Sequence, residues 1–231
     1  MLRPALLALG LLALPTATTA ATAATAGFPC SKATTPTEKA ICADPALSAL
    51  DGRLAATYRA ALERLSGASP EEGAAGAAVK ADQRAWLRER DSCGADAACL
   101  RSAYDGRMAV LSFRTDPATP PSPAGRYVGL FDHEGFIGIA AMALRNGTVA
   151  VSVSGAEPSA GRWVCDFSGV GRPDDQGRLI VGTPDAEGGG LILVAGEDGG
   201  IVIPDLEPNR AASGYWCGHN GSFVWSYRRA P

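Results

Sequence analysis

Apolar side chains recur at intervals of three and four residues along the N-terminal half, most clearly from Leu47 to Leu65. This spacing places them on one face of an α-helix. Two more segments with helical spacing follow, one around Trp86 and one from Leu100 to Leu111. The N-terminal half is therefore predicted to be helical, with its charged residues on solvated outer faces.

Short motifs mark where these helices begin. Residues 35–38 read TPTE, which is a capping box with proline at the first helical position. Residues 44–45 read DP and repeat the device without the glutamate, and residues 69–72 read SPEE and repeat it in full. The predicted helices run to about Cys42, from Pro45 to about Leu65, and from Pro70 to about Asp91.

The C-terminal half has a different pattern, in which short apolar runs such as TVAVSV, RLIVG, LILVAG and GIVIP alternate with turn signals. Asn146-Gly147 and Asn220-Gly221 are two of these turn signals. Short β-branched runs separated by such turns predict antiparallel hairpins. We expect about eight strands, closed into a small antiparallel β-barrel or sandwich.

Residues 115–125 read TDPATPPSPAG and separate the two halves. Four prolines in eleven residues favour extended polyproline II and exclude a helix. The predicted fold class is α+β with two domains: a helical hairpin domain over 27–114, a proline-rich linker over 115–125, and a small β domain over 126–231.

Residues 1–26 have the features of a secretory signal peptide. Arg3 gives a charged start, Leu6 to Leu14 form an apolar run too short to cross a bilayer, and Ala24-Thr25-Ala26 is a small-residue cleavage site. Pro29 precedes the first cysteine, where a lipoprotein signal requires small residues. We therefore predict cleavage after Ala26 and export to the periplasm or medium without a lipid anchor.

The segment after residue 26 contains six cysteines, an even number that predicts disulfides in an exported chain. Antiparallel packing of the second and third helices would bring Cys42 near Cys93 and leave Cys30 for Cys99. Local pairing, Cys30–Cys42 and Cys93–Cys99, is the alternative. Trp163-Val164-Cys165 and Tyr215-Trp216-Cys217 are each expected to end a strand, and their cysteines to form a third disulfide within the β domain.

Charge and composition exclude several functions. Residues 27–116 carry equal numbers of basic and acidic residues, while residues 117–231 carry 8 Lys or Arg against 12 Asp or Glu, a net charge of −4. No basic patch indicates nucleic-acid binding. The two histidines, His133 and His219, lie in turn sequences, and all cysteines are expected to be paired. We therefore predict no catalytic residues, no cofactor and no metal site.

Residues 30–51 read CSKATTPTEKAICADPALSALD, and residues 83–93 read QRAWLRERDSC. Together with Tyr58, Cys99-Leu100, Tyr104 and Arg107, this pattern resembles the LprI-like lysozyme-inhibitor N-terminal domain family over about residues 30–113. The resemblance implies a small disulfide-linked helical domain and a lysozyme as partner. The expected function is therefore a non-enzymatic inhibitor or binder of a cationic c-type lysozyme.

The β domain has a looser, architectural resemblance to the periplasmic inhibitors of c-type lysozyme, which use an S-G-x-x-Y loop and a lysine. Ser213-Gly214-Tyr215 is the nearest string, and the domain has arginines but no lysine. Ser213, Tyr215, Arg228 and Arg229 are thus candidate partner-binding residues. The alternative function is an envelope binding module whose barrel holds a small ligand or a cell-wall fragment.

Overall fold

The computed structural model describes residues 25–66 and 73–231. The predicted signal peptide, apart from its last two residues, lies outside the described residues, and so does the third capping box at 69–72. The described chain has helices in its N-terminal part and a closed β-barrel in its C-terminal part, as the sequence predicted. The division into two separate domains stays a prediction.

Within the described residues, four α-helices lie in the N-terminal part and a fifth lies between the last two strands. At the first helix, the Thr35 side chain accepts a hydrogen bond from the Glu38 amide while the Glu38 carboxylate accepts from the Thr35 amide, which confirms the predicted capping box. The Asp44 side chain caps the second helix. The helices are α1 Pro36–Ala43, α2 Pro45–Leu65, α3 Ala74–Asp91, α4 Ala97–Leu111 and α5 Glu207–Trp216.

Eight antiparallel strands form the barrel, each paired with the next in sequence and the last paired with the first. This confirms the predicted strand number and resolves the choice between barrel and sandwich. The strands are β1 Gly129–His133, β2 Ile137–Ala143, β3 Val149–Ala156, β4 Val164–Pro173, β5 Leu179–Gly182, β6 Gly190–Ala195, β7 Ile201–Val202 and β8 Ser226–Arg229.

The barrel interior is filled by side chains. Phe131, Phe167, Phe223 and Tyr227 are each at most 3% exposed, and they pack with buried aliphatic residues of β2, β3, β5, β6 and β7. Because side chains alternate between the two faces of a strand, half of the residues of β2 point inwards, among them Ile137 and Ile139.

The other face of β2 and β3 packs against the helices. Met142, Leu144 and Ala150 belong to the same apolar core as the inner faces of α2, α3 and α4. Two polar contacts join the same layers: the Ala75 amide donates to Ser168 Oγ at 3.1 Å, and the Arg145 amide donates to the Asp82 carboxylate at 3.0 Å. The helical part and the barrel therefore share a buried interface, although a proline-rich segment connects them.

The nested disulfide pairing was wrong. The structure pairs Cys30 with Cys42 and Cys93 with Cys99, the local alternative, instead of Cys30–Cys99 and Cys42–Cys93. The physical reason lies in α1: its first turn, not its Cys42 end, contacts the end of α3, where the Thr37 hydroxyl donates to the carbonyl of Asp91. The Cys165–Cys217 disulfide is present as expected.

The expectation that Tyr215-Trp216-Cys217 ends a strand was also wrong, because these residues end α5. Pro208 occupies the first turn of this helix, a start signal of the same kind as Pro36 and Pro45. Cys217 follows the helix and pairs with Cys165 of β4 through both a disulfide and an isolated β-bridge. The disulfide therefore attaches α5 to the barrel wall.

Candidate functional site

Residues that carried the family resemblance meet in a buried polar network between α2, α3 and α4. The Tyr104 hydroxyl donates a 2.7 Å hydrogen bond to Asp51, and the Arg90 guanidinium lies 3.6 Å from the same carboxylate. Arg90 also makes two hydrogen bonds to Asp91. Because Asp51, Tyr104 and Arg90 are each at most 6% exposed, their polar groups depend on one another for partners.

Trp86 lies between two arginines of this network. The guanidinium carbons of Arg90 and Arg107 are 5.6 and 6.0 Å from its ring centroid, within the range of cation–π attraction. Arg107 is buried and donates to Asp82 at 2.5 Å and to Gln83 at 2.7 Å. Asp82 in turn accepts the Arg145 amide, so this half of the network reaches the barrel.

The protonation of the network indicates a structural role. Burial raises the pKa of Tyr104, and its hydrogen bond to Asp51 raises it further, so the hydroxyl remains a proton donor throughout the physiological range. The pKa of Arg90 is also raised, because its contacts with Asp91 and Tyr104 outweigh the opposing effect of burial. Neither group is prepared to exchange a proton, and the network fixes the helices.

The network reaches solvent at an open cleft of about 410 Å³ between α3, α4, the proline-rich segment and the β2–β3 turn. We call this the network cleft. Its floor includes Trp86, Arg90 and Arg107, and the exposed residues around it include Glu89, which forms an ion pair with Arg145. The other exposed lining residues are Ser92, Cys99, Ser102 and Ala118.

The helical part is LprI-like. Residues 30–118 match the family model described as Lysozyme inhibitor LprI. Curated relatives named Lipoprotein LprI, from Mycobacterium bovis and from two strains of Mycobacterium tuberculosis, are 33% identical over 101 residues. The aligned part covers 42% of this chain and 46% of each relative, so the chain spans about half the length of the curated relatives it matches. No solved structure matches.

The LprI-like segment covers α1 to α4 and the first residues of the proline-rich stretch, and so includes the whole buried network. The sequence motif therefore corresponds to residues that hold the helices together. No periodic pattern in the sequence indicates that Asp51 pairs with Tyr104, which lies 53 positions away. Only the family resemblance pointed to these two residues.

The structure does not bring the four candidate partner-binding residues together as one exposed set. Ser213 is buried, donates to the Asn209 carbonyl and accepts from the Phe223 amide, so it has a structural role. Tyr215, two positions further along α5, is 69% exposed. A separation of two residues places them on different helix faces.

The two candidate arginines lie on β8, opposite β1. Arg228 is exposed and lies beside Asp132 in the strand register. The Arg229 side chain donates to the Val128 carbonyl and lies 4.7 Å above the Phe131 ring, so its guanidinium is already engaged. Of the four candidates, Tyr215 and Arg228 thus present side chains to a partner.

Residues 25–66 and 73–231 contain no group of three or more His, Cys, Asp or Glu placed to hold a metal ion. No helix in the same residues is long and apolar enough to cross a membrane. The acidic turn at 174–178 satisfies its own charge: Asp174 accepts the amides of Gln176 and Arg178 and pairs with the Arg178 guanidinium.

Proposed function

We propose that this protein is an exported, non-enzymatic inhibitor that binds a lysozyme through its LprI-like helical part. The observation that carries the proposal is the match of residues 30–118 to the lysozyme-inhibitor family model. The proposed partner is a cationic c-type lysozyme: residues 27–116 are neutral overall, and the net charge of −4 over residues 117–231 would attract such an enzyme at long range. The proposed function is binding alone, so the protein itself carries out no chemical step.

The geometry supports a rigid binding surface on the helices. Two local disulfides, Cys30–Cys42 and Cys93–Cys99, fix the ends of α1, α3 and α4. The buried network fixes the packing between the helices, and the helices also pack against the outer face of β2 and β3. A surface organised before binding loses little conformational entropy on association, and this favours affinity.

Within this part, the network cleft is the concave surface that we propose faces lysozyme. Its wall combines aromatic and arginine groups on the floor with small exposed side chains, such as Ser92 and Ser102, at the edge. Trp86, Arg90 and Arg107 are buried and engaged within the network, so they shape the floor, and the exposed residues at the edge would make the contacts with lysozyme. At the edge of the cleft, Glu89 is paired with Arg145, and the half-buried Asp116 supplies a further carboxylate.

Export is supported by the three disulfides, since such bonds persist in oxidising compartments. The relatives are named lipoproteins, whereas here Pro29 precedes the first cysteine. We propose release of the mature chain without a lipid anchor.

The alternative function, a ligand held inside the barrel, has less support. Two residues that would fill such a cavity are packed in the barrel core: Phe167 is 3% exposed and Phe223 is 0% exposed. A lipocalin-like site needs an unfilled interior. Trp163 and Trp216 lie at the barrel end instead, where both are partly exposed.

The test is a lysis assay in two formats with the oxidised chain from residue 27. A c-type lysozyme acts first on bacterial cell walls and then on a small soluble chromogenic oligosaccharide. Binding to the enzyme should slow both reactions, with the midpoint set by the lysozyme concentration. If wall lysis slows but the soluble substrate is cleaved at the full rate, the protein coats the wall and the proposal is wrong. No effect in either format also contradicts it.

A further inference from the structure

Exposed apolar side chains are concentrated at one end of the barrel. Because the strands are antiparallel neighbours, the β1–β2, β3–β4, β5–β6 and β7–β8 connections all lie at the same end. We call this the aromatic end. All five large hydrophobic residues that are exposed within residues 25–66 and 73–231 belong to it, namely Val164, Leu206, Tyr215, Trp216 and Trp225.

A row of four rings crosses part of this end. Trp225 stacks on His133 with ring centroids 4.6 Å apart, His133 contacts Phe136 at 5.1 Å, and Phe136 contacts Trp163 at 5.9 Å. The Trp225 ring is fixed by a hydrogen bond from its indole nitrogen to the Ser222 carbonyl, yet it is 39% exposed. The row therefore presents ordered aromatic surface to solvent.

An open cleft of about 630 Å³ lies at the Trp163 end of the row, lined by Arg162, Trp163, His219 and Asn220. The combination of groups is specific: an aromatic ring, a guanidinium that only donates hydrogen bonds, and an imidazole and an amide that both donate and accept. A polar ligand with apolar faces would satisfy all four side chains.

The loop that carries Arg162 and Trp163 is organised before any ligand binds. The Glu157 carboxylate accepts hydrogen bonds from the hydroxyl and amide of Ser159 and from the Ala160 amide, and these lower its pKa to about 2. The Glu157 amide donates to the Trp163 carbonyl, which closes the loop. Arg162 lies within 3.8 Å of the same carboxylate.

The opposite wall, residues 218–221, is held in a strained conformation. His219 and Asn220 both have positive φ, 43° and 67°, which is uncommon for residues other than glycine. Gly221 packs so closely that an added Cβ would lie 3.1 Å from both the Cys165 sulfur and the Trp163 ring. The Cys165–Cys217 disulfide and Trp163 thus hold this turn in its conformation. Backbone strain of this kind is concentrated at binding sites.

We propose that this cleft and the adjoining ring row bind a carbohydrate chain. The negatively charged π-face of a ring attracts the polarised C–H groups on the face of a sugar, so Trp163 and Trp225 supply stacking surfaces. Sugar hydroxyls donate and accept hydrogen bonds, which matches Asn220, His219 and Arg162. This site is independent of the lysozyme-binding proposal and lies on a different part of the chain.

The occupant is a polar chain and not an apolar one, because three of the four lining side chains, Arg162, His219 and Asn220, are hydrogen-bonding groups. A cationic protein is the competing occupant, since aromatic residues also favour protein interfaces and Glu134, Asp185 and Glu187 lie in the same connections. The cleft lining carries a guanidinium, an imidazole and an amide and no carboxylate, which favours sugar hydroxyls over a cationic protein, and the experiment below separates the two.

The experiment measures binding of two tetrasaccharides, one of N-acetylglucosamine and one of glucose, to the oxidised chain by calorimetry and by tryptophan fluorescence. We expect binding of at least one, and a fluorescence change from Trp163 and Trp225. Replacing Trp163 by alanine should weaken binding by about tenfold or more. Trp216→Phe is the matched control, because Trp216 is also exposed at the aromatic end but lies outside the row, and it should bind as the wild type does.

Asn220→Gly keeps the test valid if Trp163→Ala disturbs the fold. Glycine accepts the positive φ of this position at no steric cost, so thermal stability should be unchanged or higher while sugar binding weakens. The proposal is overturned if neither tetrasaccharide binds at about 1 mM, or if Trp163→Ala and Trp216→Phe weaken binding equally. It is also overturned if Trp163→Ala affects only lysozyme binding, which would identify the aromatic end as a protein-docking surface.

Discussion

The Tyr104 hydroxyl donates a 2.7 Å hydrogen bond to the Asp51 carboxylate, although the two residues are 53 positions apart and both are buried. This contact joins α2 to α4 at the centre of the LprI-like part. It gives residues of the family pattern that do not face solvent a structural role: they hold α2, α3 and α4 together as one rigid body.

Removal of the Tyr104 hydroxyl tests this role. Tyr104→Phe leaves the ring against Trp86 but removes a donor to buried Asp51, so we expect a loss of about 1–3 kcal/mol in the free energy of unfolding. Tyr215→Phe is the control, because Tyr215 is 69% exposed, and its effect should stay within about 0.5 kcal/mol. Urea denaturation measures both, and equal effects would contradict a structural network.

The second oxygen of Asp51 accepts the Gly27 amide at 2.7 Å. If the predicted signal peptide is removed after Ala26, this nitrogen becomes the terminal ammonium and the contact becomes an ion pair with a buried carboxylate. Charge-assisted hydrogen bonds are about twice as strong as neutral ones. We expect the chain that starts at Gly27 to unfold at a higher urea concentration than the same chain with one added residue or an acetylated terminus. Equal midpoints would show that the ammonium does not occupy this position.

Asp82 connects the helices to the barrel, since one oxygen pairs with buried Arg107 and the other accepts the Arg145 amide. Asp82→Asn leaves the Arg107 charge uncompensated, and we expect a loss of about 3–5 kcal/mol. Asp205→Asn, which breaks an exposed pair with Arg210, should cost about 0–1 kcal/mol. Calorimetry should show a single cooperative transition for the wild type. Two separate transitions would mean that the shared interface contributes little.

The capping box at α1 makes a contribution that depends on pH. Hydrogen bonds from the Thr35 and Thr34 amides lower the pKa of Glu38 from 4.5 to about 2. The folded state therefore stabilises the ionised form of Glu38. The contribution of this carboxylate to the free energy of unfolding is complete above about pH 4.5 and is lost as the pH falls towards 2. Wild type should be more stable than Glu38→Gln at pH 7, and the difference should shrink towards pH 2. A difference that is constant with pH would contradict this.

Local signals in the sequence predicted much of the fold. Thr35-Pro36 and Asp44-Pro45 gave the starts of α1 and α2, and alternating apolar runs gave the eight strands. These predictions succeed because the hydrogen bonds of helix caps and turns form between residues only a few positions apart. The same logic applied to Pro208 would have found α5, which was missed because the adjacent aromatic residues have high strand propensity.

Long-range relationships could not be predicted in this way. The choice between nested and local disulfides depended on which end of an eight-residue helix meets α3, and no local pattern fixes that. The aromatic end was likewise hidden: His133, Trp163 and Trp225 lie far apart in sequence and meet only when alternate barrel connections come together at one end.

The central claim is that the helical part binds lysozyme at the network cleft. The most direct measurement is the affinity of a c-type lysozyme for Ser102→Arg and Ala60→Arg, compared with wild type. Both add one positive charge to an exposed helix position, but only Ser102 lines the cleft. We predict that Ser102→Arg weakens binding by about tenfold or more while Ala60→Arg has little effect. Equal affinities for both variants and wild type would contradict the claim.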